Sequence, residues 1–236
     1  MEAYRCILSA HDFLFYVSKE LKVGVPSDMI SNTALLYAFN SHTTAAHRNA
    51  SGNTPHYQED MARFSIYSTP ARLLGRDLVI MRGELEEWGG VSRNLERLTY
   101  NAVQTVNNIT DSTQVVPSMG HYMMYPPLTP FECFLIGGRG SAVIRLGKKL
   151  PPVRAVYQRL ENVEHNTGAF RPSHPVNSKD IHQATEILEC SVEVMPPAPV
   201  YRTSKLKGDH ITGEIQGKKY RVALPNPDIY SSIDQS

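Results

Sequence analysis

The order of the first two elements predicts an α/β or α+β protein. Residues 4–10 form a closely spaced apolar run that predicts a strand. Residues 27–39 then predict a helix, because Ser27 or Asp28 can cap it and its apolar side chains fall near one face. A length of 236 residues with 41% hydrophobic content allows one large domain, or a core domain with an extension, without a disulfide or metal to hold it.

The segments after these elements are less regular. The aromatic cluster at residues 13–17 either extends the first strand or covers the core. Residues 40–63 are polar without a clear period and predict a long loop or insertion, and loops of this length are usually functional or disordered. Residues 64–70 alternate between apolar and polar and end at Pro70, so a short strand is expected there.

Strand patterns dominate the middle of the chain. Residues 77–85 predict a strand, whereas residues 92–109 fit a helix and a strand equally well, so their periodicity does not decide between the two. Residues 131–136 predict a strand, and residues 141–146 are expected to pair with it across a glycine turn.

The clearest hairpin lies near the end of the chain, at residues 203–224. Gln216 and Gly217 separate its two runs, and Gly217 suits the positive φ of a tight hairpin turn. The final residues, 225–236, are expected to be loosely held.

The strongest functional signal lies between residues 134 and 159. A glycine-rich turn is followed there by bases without one acid until Glu161, whereas the whole chain has a formal net charge of only +1. Consecutive glycines let backbone N–H groups point outward, and the bases supply charge for phosphates, so the pattern indicates a polyanion site, most simply for nucleic acid. The predicted binding residues are Gly137, Gly138, Arg139, Gly140, Arg145, Lys148, Lys149 and Arg154.

Motifs of common enzyme classes do not fit. A phosphate-binding P-loop fails because Gly140 and Gly147 are too far apart and Lys149 stands where Ser or Thr should bind magnesium. The dinucleotide fingerprint lacks its third glycine, since Val143 stands in that place. The nine histidines have no zinc-site spacing, and neither HExxH nor GxSxG is present. The sequence therefore predicts no metal, no cofactor and no catalytic residue.

Two features remain open at this level. Metal-independent RNA cleavage needs only a His, Tyr or Lys near a 2′-hydroxyl, and such groups need not be close in sequence. The candidate histidines are His11, His121 and His165. A second basic cluster is either a solvated hairpin face or an extension of an RNA path, and it consists of Arg202, Lys205, Lys207, Lys218, Lys219 and Arg221.

The cysteines and the N-terminus predict a cytoplasmic protein. Cys6, Cys133 and Cys190 are far apart, odd in number and without a CxxC pair, which is typical of reduced structural thiols. The first residues do not read as a signal peptide, and no apolar run approaches the length of a membrane span.

Several segments between about residues 4 and 224 resemble one group of CRISPR proteins. They read YRCILSAHDFLFY, FSIYSTPAR, TYNAV, LIGGRG followed by IRLGKK, and HPVN, together with the helix at residues 30–39. In this order they are similar to the Cas-five-type subunit of the type I-D Cascade complex, a member of the RAMP superfamily.

The resemblance implies an α+β fold of the RRM-like, ferredoxin-like kind, with an antiparallel sheet and helices on one face. It implies a core over residues 1–160 with a thumb inserted at about residues 40–66. A glycine-rich loop at residues 137–140 would lie beside RNA. Residues 161–236 would form a β-rich C-terminal extension packed on the core.

The resemblance also implies a role in antiviral DNA interference. The subunit would hold the 5′ handle of the CRISPR RNA (crRNA), cap the filament of backbone RAMP subunits and adjoin the large subunit, without catalysis. It leaves open a contact with target DNA near the protospacer-adjacent motif. Tyr157 or Tyr125 would stack on splayed bases. The alternatives are an endoribonuclease that processes precursor crRNA, as the type I-C relative does, and an adaptor that binds only protein.

Overall fold

The structure is a computed structural model, and it describes most of the chain. The described residues are 1–16, 26–41, 57–74, 79–81, 84–86, 96–103, 117–147 and 150–233. For residues 79–81, 84–86, 96–103 and 117–123 only the strand pairing is described. The predicted binding residues Lys148 and Lys149 lie outside the described residues, as does most of the predicted thumb.

The described chain is mostly antiparallel strand with two short helices. The helices are α1 (Asn32–Phe39) and α2 (Tyr57–Met61). The strands are β1 (Ala3–Ala10), β2 (Met29–Ile30), β3 (Tyr67–Ser68), β4 (Ala71–Leu73), β5 (Val79–Met81), β6 (Glu84–Glu86), β7 (Glu96–Val103), β8 (Pro117–Met124), β9 (Pro130–Ile136), β10 (Val143–Arg145), β11 (Pro152–Arg159), β12 (Glu161–Phe170), β13 (Val176–Asn177), β14 (Glu186–Glu193), β15 (Val200–Ile215) and β16 (Lys218–Ala223). None of the described helices reaches the length and apolar content that a membrane-spanning helix requires.

The N-terminal strand lies at the centre of a seven-stranded sheet, which we call the main sheet. The strand order is β10-β11-β1-β9-β4-β2, and β3 also pairs with β9. Every pairing in this sheet is antiparallel. The strand predicted at residues 4–10 is therefore confirmed, and its apolar run is buried, with Cys6, Leu8 and Ala10 in a hydrophobic cluster.

Helix α1 covers one face of the main sheet. Leu35 and Phe39 lie in one buried cluster with side chains from the central strands, and these are Cys6, Leu8, Cys133, Leu135, Val153 and Ala155. Leu14 belongs to the same cluster, and neighbouring Phe15 is also buried. The described part of the N-terminal aromatic cluster therefore covers the core and does not extend β1.

The predicted helix start was wrong by several residues. Ser31 caps α1, because its side chain accepts a hydrogen bond of 3.3 Å from the backbone N–H of Thr33. The preceding residues Met29 and Ile30 instead pair with β4, so their backbone groups are already satisfied in the sheet. Ser27 does accept a local hydrogen bond, from the N–H of Met29, but it precedes a strand.

The predicted pairing across the glycine turn was also wrong. Strand β9 forms as expected, but β10 pairs with β11, and β1 and β11 lie between β9 and β10 in the sheet. Residues 137–142 therefore cross the end of two strands and do not close a hairpin. The alternation of apolar residues predicts that each strand forms but not which strand it pairs with, since pairing with any strand that has a buried face would fit the same pattern.

Other local expectations had mixed outcomes. The region predicted as one strand at residues 77–85 holds the antiparallel pair β5 and β6. The ambiguous region at residues 92–109 contains β7, which pairs with β8. Residues 57–61, predicted as loop, form α2, and the strand expected at residues 64–70 is only the two-residue β3.

A second, five-stranded sheet begins directly after β11. Its central strand is β15, which pairs with β12, β13, β14 and β16. The predicted hairpin is confirmed as β15 and β16, and its turn residues Gln216 and Gly217 have φ of 51° and 77°, typical of a type I′ turn. Tyr220 and Val222 of this hairpin lie in a second buried cluster with Phe134 of the main sheet and Leu36 of α1.

The expectation that residues 225–236 are loosely held was wrong for their described part, up to residue 233. Tyr230 is completely buried, and its hydroxyl donates a hydrogen bond of 2.7 Å to Asp180. Its ring also packs edge-on against Tyr67, with ring centroids 5.0 Å apart. The sequence of this segment, which is rich in polar residues and proline, does not indicate that Tyr230 is buried. Its partners, Asp180 and Tyr67, are distant along the chain.

Candidate nucleic-acid interface

The glycine loop, residues 137–142, starts where β9 leaves the main sheet. Gly137 has φ of 91°, and a Cβ there would lie 2.5 Å from the carbonyl oxygen of Ser65. Gly140 lies against α1, where a Cβ would come 2.5 Å from Cδ1 of Phe39. Both positions therefore require glycine, the first for its backbone conformation and the second for the close approach of the loop to the helix.

The loop presents backbone donors that the fold itself does not use. Gly137 donates its N–H to the carbonyl oxygen of Glu2 at 3.0 Å, which fixes the start of the loop. Within the described part of the chain, the next three N–H groups, of Gly138, Arg139 and Gly140, have no protein acceptor. Successive free N–H groups in a glycine loop are a common binding arrangement for anionic oxygens.

Two tyrosines of the main sheet lie next to this loop. The hydroxyl of Tyr157 donates to the carbonyl oxygen of Ser141 at 2.7 Å, and its ring meets Tyr4 edge-on, with centroids 6.5 Å apart. The pKa of Tyr157 is raised, mainly by burial, and the nearby positive charge of Arg139 offsets part of this rise. Arg139 itself is exposed. The loop therefore carries its cation beside an aromatic pair.

The other aromatic candidate does not have the exposure that base stacking needs. Tyr125 is only 5% exposed and packs edge-on against Phe131 in the core. Tyr157 remains half-buried. Tyr4, which the sequence did not single out, forms the pair with Tyr157.

Two of the predicted cations lie together on the edge of the main sheet. Ile144 and Val153 are directly opposite each other and buried in the cluster under α1, whereas Arg145 and Arg154, the next residue of each strand, are exposed. Arg145 donates from Nη1 to the carbonyl oxygen of Leu150 at 3.0 Å, and Arg154 has no ion pair with any described residue.

Three of the six cations in the second basic cluster form ion pairs with neighbouring acids. Arg202 binds Asp28 at 2.6 Å and Glu193 at 2.5 Å. In the same cluster, Lys207 pairs with Glu186 at 3.3 Å and Lys219 pairs with Glu214 at 3.5 Å. Lys218 lies 5.4 Å from the ring centroid of Tyr220. These contacts favour the interpretation as a solvated hairpin face.

The structure does not assemble the candidate histidines of the nuclease alternative. His11 is exposed directly after β1 of the main sheet, whereas His165 is exposed on β12 of the second sheet. The side chain of His121 lies outside the described residues. Over the described chain, no group of three or more His, Cys, Asp or Glu side chains is arranged to hold a metal ion.

All three cysteines are free. Cys6 and Cys133 are directly opposite each other on β1 and β9, and both are completely buried. Burial and the neighbouring Cys133 raise the pKa of Cys6, so the Cys6 thiol stays protonated, and both side chains pack as part of the core. Cys190 is exposed on β14.

Buried polar groups, which the sequence did not indicate, hold the two sheets and the loop region in place. Glu132 forms ion pairs with Arg5 at 2.6 Å and with Arg72 at 2.7 Å, although it is only 2% exposed. His174 accepts from the N–H of Ala223 at 3.1 Å, so its other ring nitrogen, 2.6 Å from the carbonyl oxygen of Pro175, carries the proton. No local sequence pattern identifies these residues as a group, since the strands that carry their partners are far apart in the sequence.

Comparison with known proteins adds a family assignment to this geometry. A family model described as "Type I-D CRISPR-associated protein Cas5/Csc1" matches residues 1–230. A search of curated proteins gave no match.

Two solved structures are similar to this chain. One is a chain of "Cryo-EM structure of the Type III-B Cmr-beta bound to cognate target RNA and AMPPnP, state 1", with TM-score 0.45 and 7% identity over 92% of this chain and 86% of that chain. The other is "Crystal structure of a CRISPR protein from Archaeoglobus fulgidus", with TM-score 0.37 and 13% identity over 95% of this chain and 100% of that chain.

Proposed function

Since the chain belongs to the type I-D Cas5/Csc1 family, we propose that it is the RNA-binding subunit that holds the 5′ handle of the crRNA in a type I-D CRISPR effector complex. In this role it caps the filament of backbone RAMP subunits beside the large subunit and performs no catalysis itself. The observation that carries the proposal is the glycine loop, with its three free N–H groups and an exposed arginine.

The chemistry of the loop suits the backbone of a single RNA strand. Free N–H groups of Gly138 and Gly140 supply donors for phosphate oxygens, and Arg139 supplies a charge. Arg145 and Arg154 extend the positive charge along the edge strands. Lys148 and Lys149 belong to the same proposed site by their place in the sequence.

The strand order supports an RRM-like, ferredoxin-like core over residues 1–160. Strands β11, β1, β9 and β4 are adjacent in that order and antiparallel, and α1 lies between β1 and β4 along the chain. In the chain position of the second helix of that fold, between β9 and β11, the described residues hold the glycine loop and β10. Residues 161–233 form the separate β-rich extension, and the insertion near residues 40–66 is proposed as the thumb.

The first test is binding of the full-length chain to a fluorescent crRNA that carries the cognate 5′ repeat handle, measured by anisotropy. The matched control is the same RNA with the handle scrambled, and the recovered RNA is run on a denaturing gel. Tighter binding to the true handle with intact RNA supports the proposal. Cleaved RNA would favour the endoribonuclease, and binding to neither RNA, alone or within the assembled complex, would favour the protein-only adaptor.

A further inference from the structure

An open groove lies between α1 and the edge strand β10, beside the glycine loop. Its volume is about 620 Å³. The small side chains of Ala34 and Ala38 form the helical wall, and Ile144 and Leu146 belong to the opposite wall. Ser141 of the glycine loop also contributes to the lining. The groove is therefore wide because alanines stand where larger residues would close it.

The helical wall also contains an aromatic ring whose position is fixed. The hydroxyl of Tyr37 donates to Asp60 at 2.6 Å, and its ring meets Phe64 edge-on at a centroid distance of 5.3 Å. Burial and the neighbouring carboxylate raise the pKa of Tyr37, so the ring stays neutral. A held aromatic ring in a mostly apolar cleft is a surface on which a planar group can stack.

The outer side of the groove is apolar and exposed. Val143 is 54% exposed and Leu150 is 56% exposed, although both line the groove. Exposed apolar groups next to a concave site are typical of a surface that binds a partner. Two nearby cations indicate which partner. Arg145 lines the groove and donates to the carbonyl oxygen of Leu150, and Arg139 is exposed in the glycine loop, which contributes Ser141 to the lining.

We propose that this groove receives unstacked nucleotides of single-stranded RNA, with their bases between α1 and β10 and their phosphates near Arg139 and Arg145. The proposal rests on the proposed function and adds where bases are held. Charge complementarity favours RNA over an apolar peptide, since Arg145 lines the groove and Arg139 is exposed in the adjoining glycine loop. In addition, β10 offers only three residues for pairing with an added peptide strand.

The groove runs along α1 from residue 34 to the end of the helix at residue 39, a length of about 8 Å at 1.5 Å per residue. This length admits one or two splayed nucleotides, not a duplex. RNA that is recognised in sequence is usually single-stranded, because only splayed bases expose their edges and faces. The serine hydroxyls of Ser41 and Ser141 supply polar groups among the lining residues for base edges.

Filling the groove tests the proposal on the full-length chain. Ala38→Leu keeps the helix propensity high and places a larger side chain in the groove. We expect about tenfold weaker binding to handle RNA, as when one base loses its stacking surface, with an unchanged slope of log affinity against log salt. Ala184→Leu is the matched control, because Ala184 is exposed in a loop of the C-terminal extension and does not line the groove.

The outcomes separate this inference from the proposed function. If wild type and Ala38→Leu bind handle RNA equally, the groove is not part of the RNA path, whereas the proposed function stands. If wild type binds no RNA, alone or within the assembled complex, the proposed function itself fails. If Ala38→Leu retains RNA affinity but loses association with a backbone subunit, the groove is a protein site and the inference is overturned.

Photocrosslinking of the wild-type chain gives a second readout that does not depend on folding of a variant. Handle RNA carries 4-thiouridine at one position at a time, and crosslinked peptides are identified by mass spectrometry. We expect one or two positions to crosslink within residues 34–41 or 141–147. Crosslinks that fall only on other peptides would place the bases elsewhere.

Discussion

The hydroxyl of Tyr230 donates a hydrogen bond of 2.7 Å to the carboxylate of Asp180, and both side chains are buried. Asp180 also accepts from the hydroxyl of Tyr67 at 2.9 Å and from the amide of Asn32. These donors come from the C-terminal segment, the main sheet and α1. The buried carboxylate therefore joins three parts of the chain, and each donor offsets part of the cost of removing its charge from water.

The Tyr230→Phe variant should lose about 1.5–3 kcal/mol of unfolding free energy, because a buried carboxylate loses a hydrogen-bond donor while the ring remains. Urea unfolding measures the loss. Tyr57→Phe is the matched control: Tyr57 is 37% exposed, its hydroxyl binds no described residue, and a change within about 0.5 kcal/mol is expected. Equal losses in the two variants would show that the hydroxyl bond to Asp180 contributes nothing specific.

Asp180 should make the protein less stable as pH rises from about 4 to about 6. Burial raises its pKa to about 6, although the hydrogen bonds from Tyr230, Tyr67 and Asn32 lower it. The unfolded chain releases this proton near the ordinary pKa, so between the two values the folded state holds more protons and rising pH favours unfolding. In Asp180→Asn this dependence disappears, and the difference from wild type across the window is on the order of 3 kcal/mol.

His174 should act in the opposite direction over nearly the same window. Burial lowers its pKa to about 4, so the folded state keeps the ring neutral while the unfolded chain takes up a proton below about 6.5. Falling pH therefore favours unfolding from about 6.5 down to about 4. A proton on the accepting ring nitrogen would also oppose the N–H of Ala223.

The two opposing groups predict a specific pattern in urea unfolding measured at pH 4, 5, 6 and 7. Relative to wild type, Asp180→Asn should show stability that falls more steeply towards pH 4, since His174 is then unopposed. His174→Asn should show stability that rises more towards pH 4, since Asp180 is then unopposed. Parallel curves for all three proteins would contradict both assignments.

Gly137→Ala should destabilise the protein more than Gly217→Ala. Both glycines have positive φ, of 91° and 77° respectively, so each variant carries the strain of a left-handed residue. A Cβ at position 137 would also lie 2.5 Å from the carbonyl oxygen of Ser65, whereas at position 217 nothing lies within 4 Å. We expect a loss of about 1 kcal/mol at 217 and about 2–3 kcal/mol at 137 by urea unfolding. Equal losses would mean that the loop moves freely away from Ser65.

Local elements of this fold could be predicted from the sequence, and long-range contacts could not. Strand β1 and the β15–β16 hairpin were predicted because their signals, an apolar run and a two-residue turn with glycine, lie within the elements themselves. The partner of β10 was missed, since β11 follows it in the chain, and β11 and β1 separate β10 from β9 in the sheet. Tyr230 was missed because its acceptor is 50 residues away in the sequence.

The candidate site shows the same division. The glycine loop was visible in the sequence because consecutive glycines are unusual in a chain of ordinary composition. The groove was not, because Ala34 and Ala38 read as ordinary helix residues and meet β10 only through the sheet order. The sequence also did not indicate that Arg145 and Arg154 lie on neighbouring strands, because the pairing of β10 with β11 depends on the sheet order.

The salt dependence of handle binding should show which cations contact phosphates. Arg139→Gln and Arg145→Gln should each lower the slope of log affinity against log salt by about 0.7, the value for one lost contact with a single-strand phosphate. Glutamine keeps most of the side-chain length, so the charge is the main change. Lys219→Gln is the matched control, because Lys219 is exposed but already paired with Glu214 at 3.5 Å, and its slope should equal that of wild type. A lower slope for Lys219→Gln alone would move the RNA path to the β15–β16 hairpin, and unchanged slopes for both arginine variants would remove the glycine loop and β10 from that path.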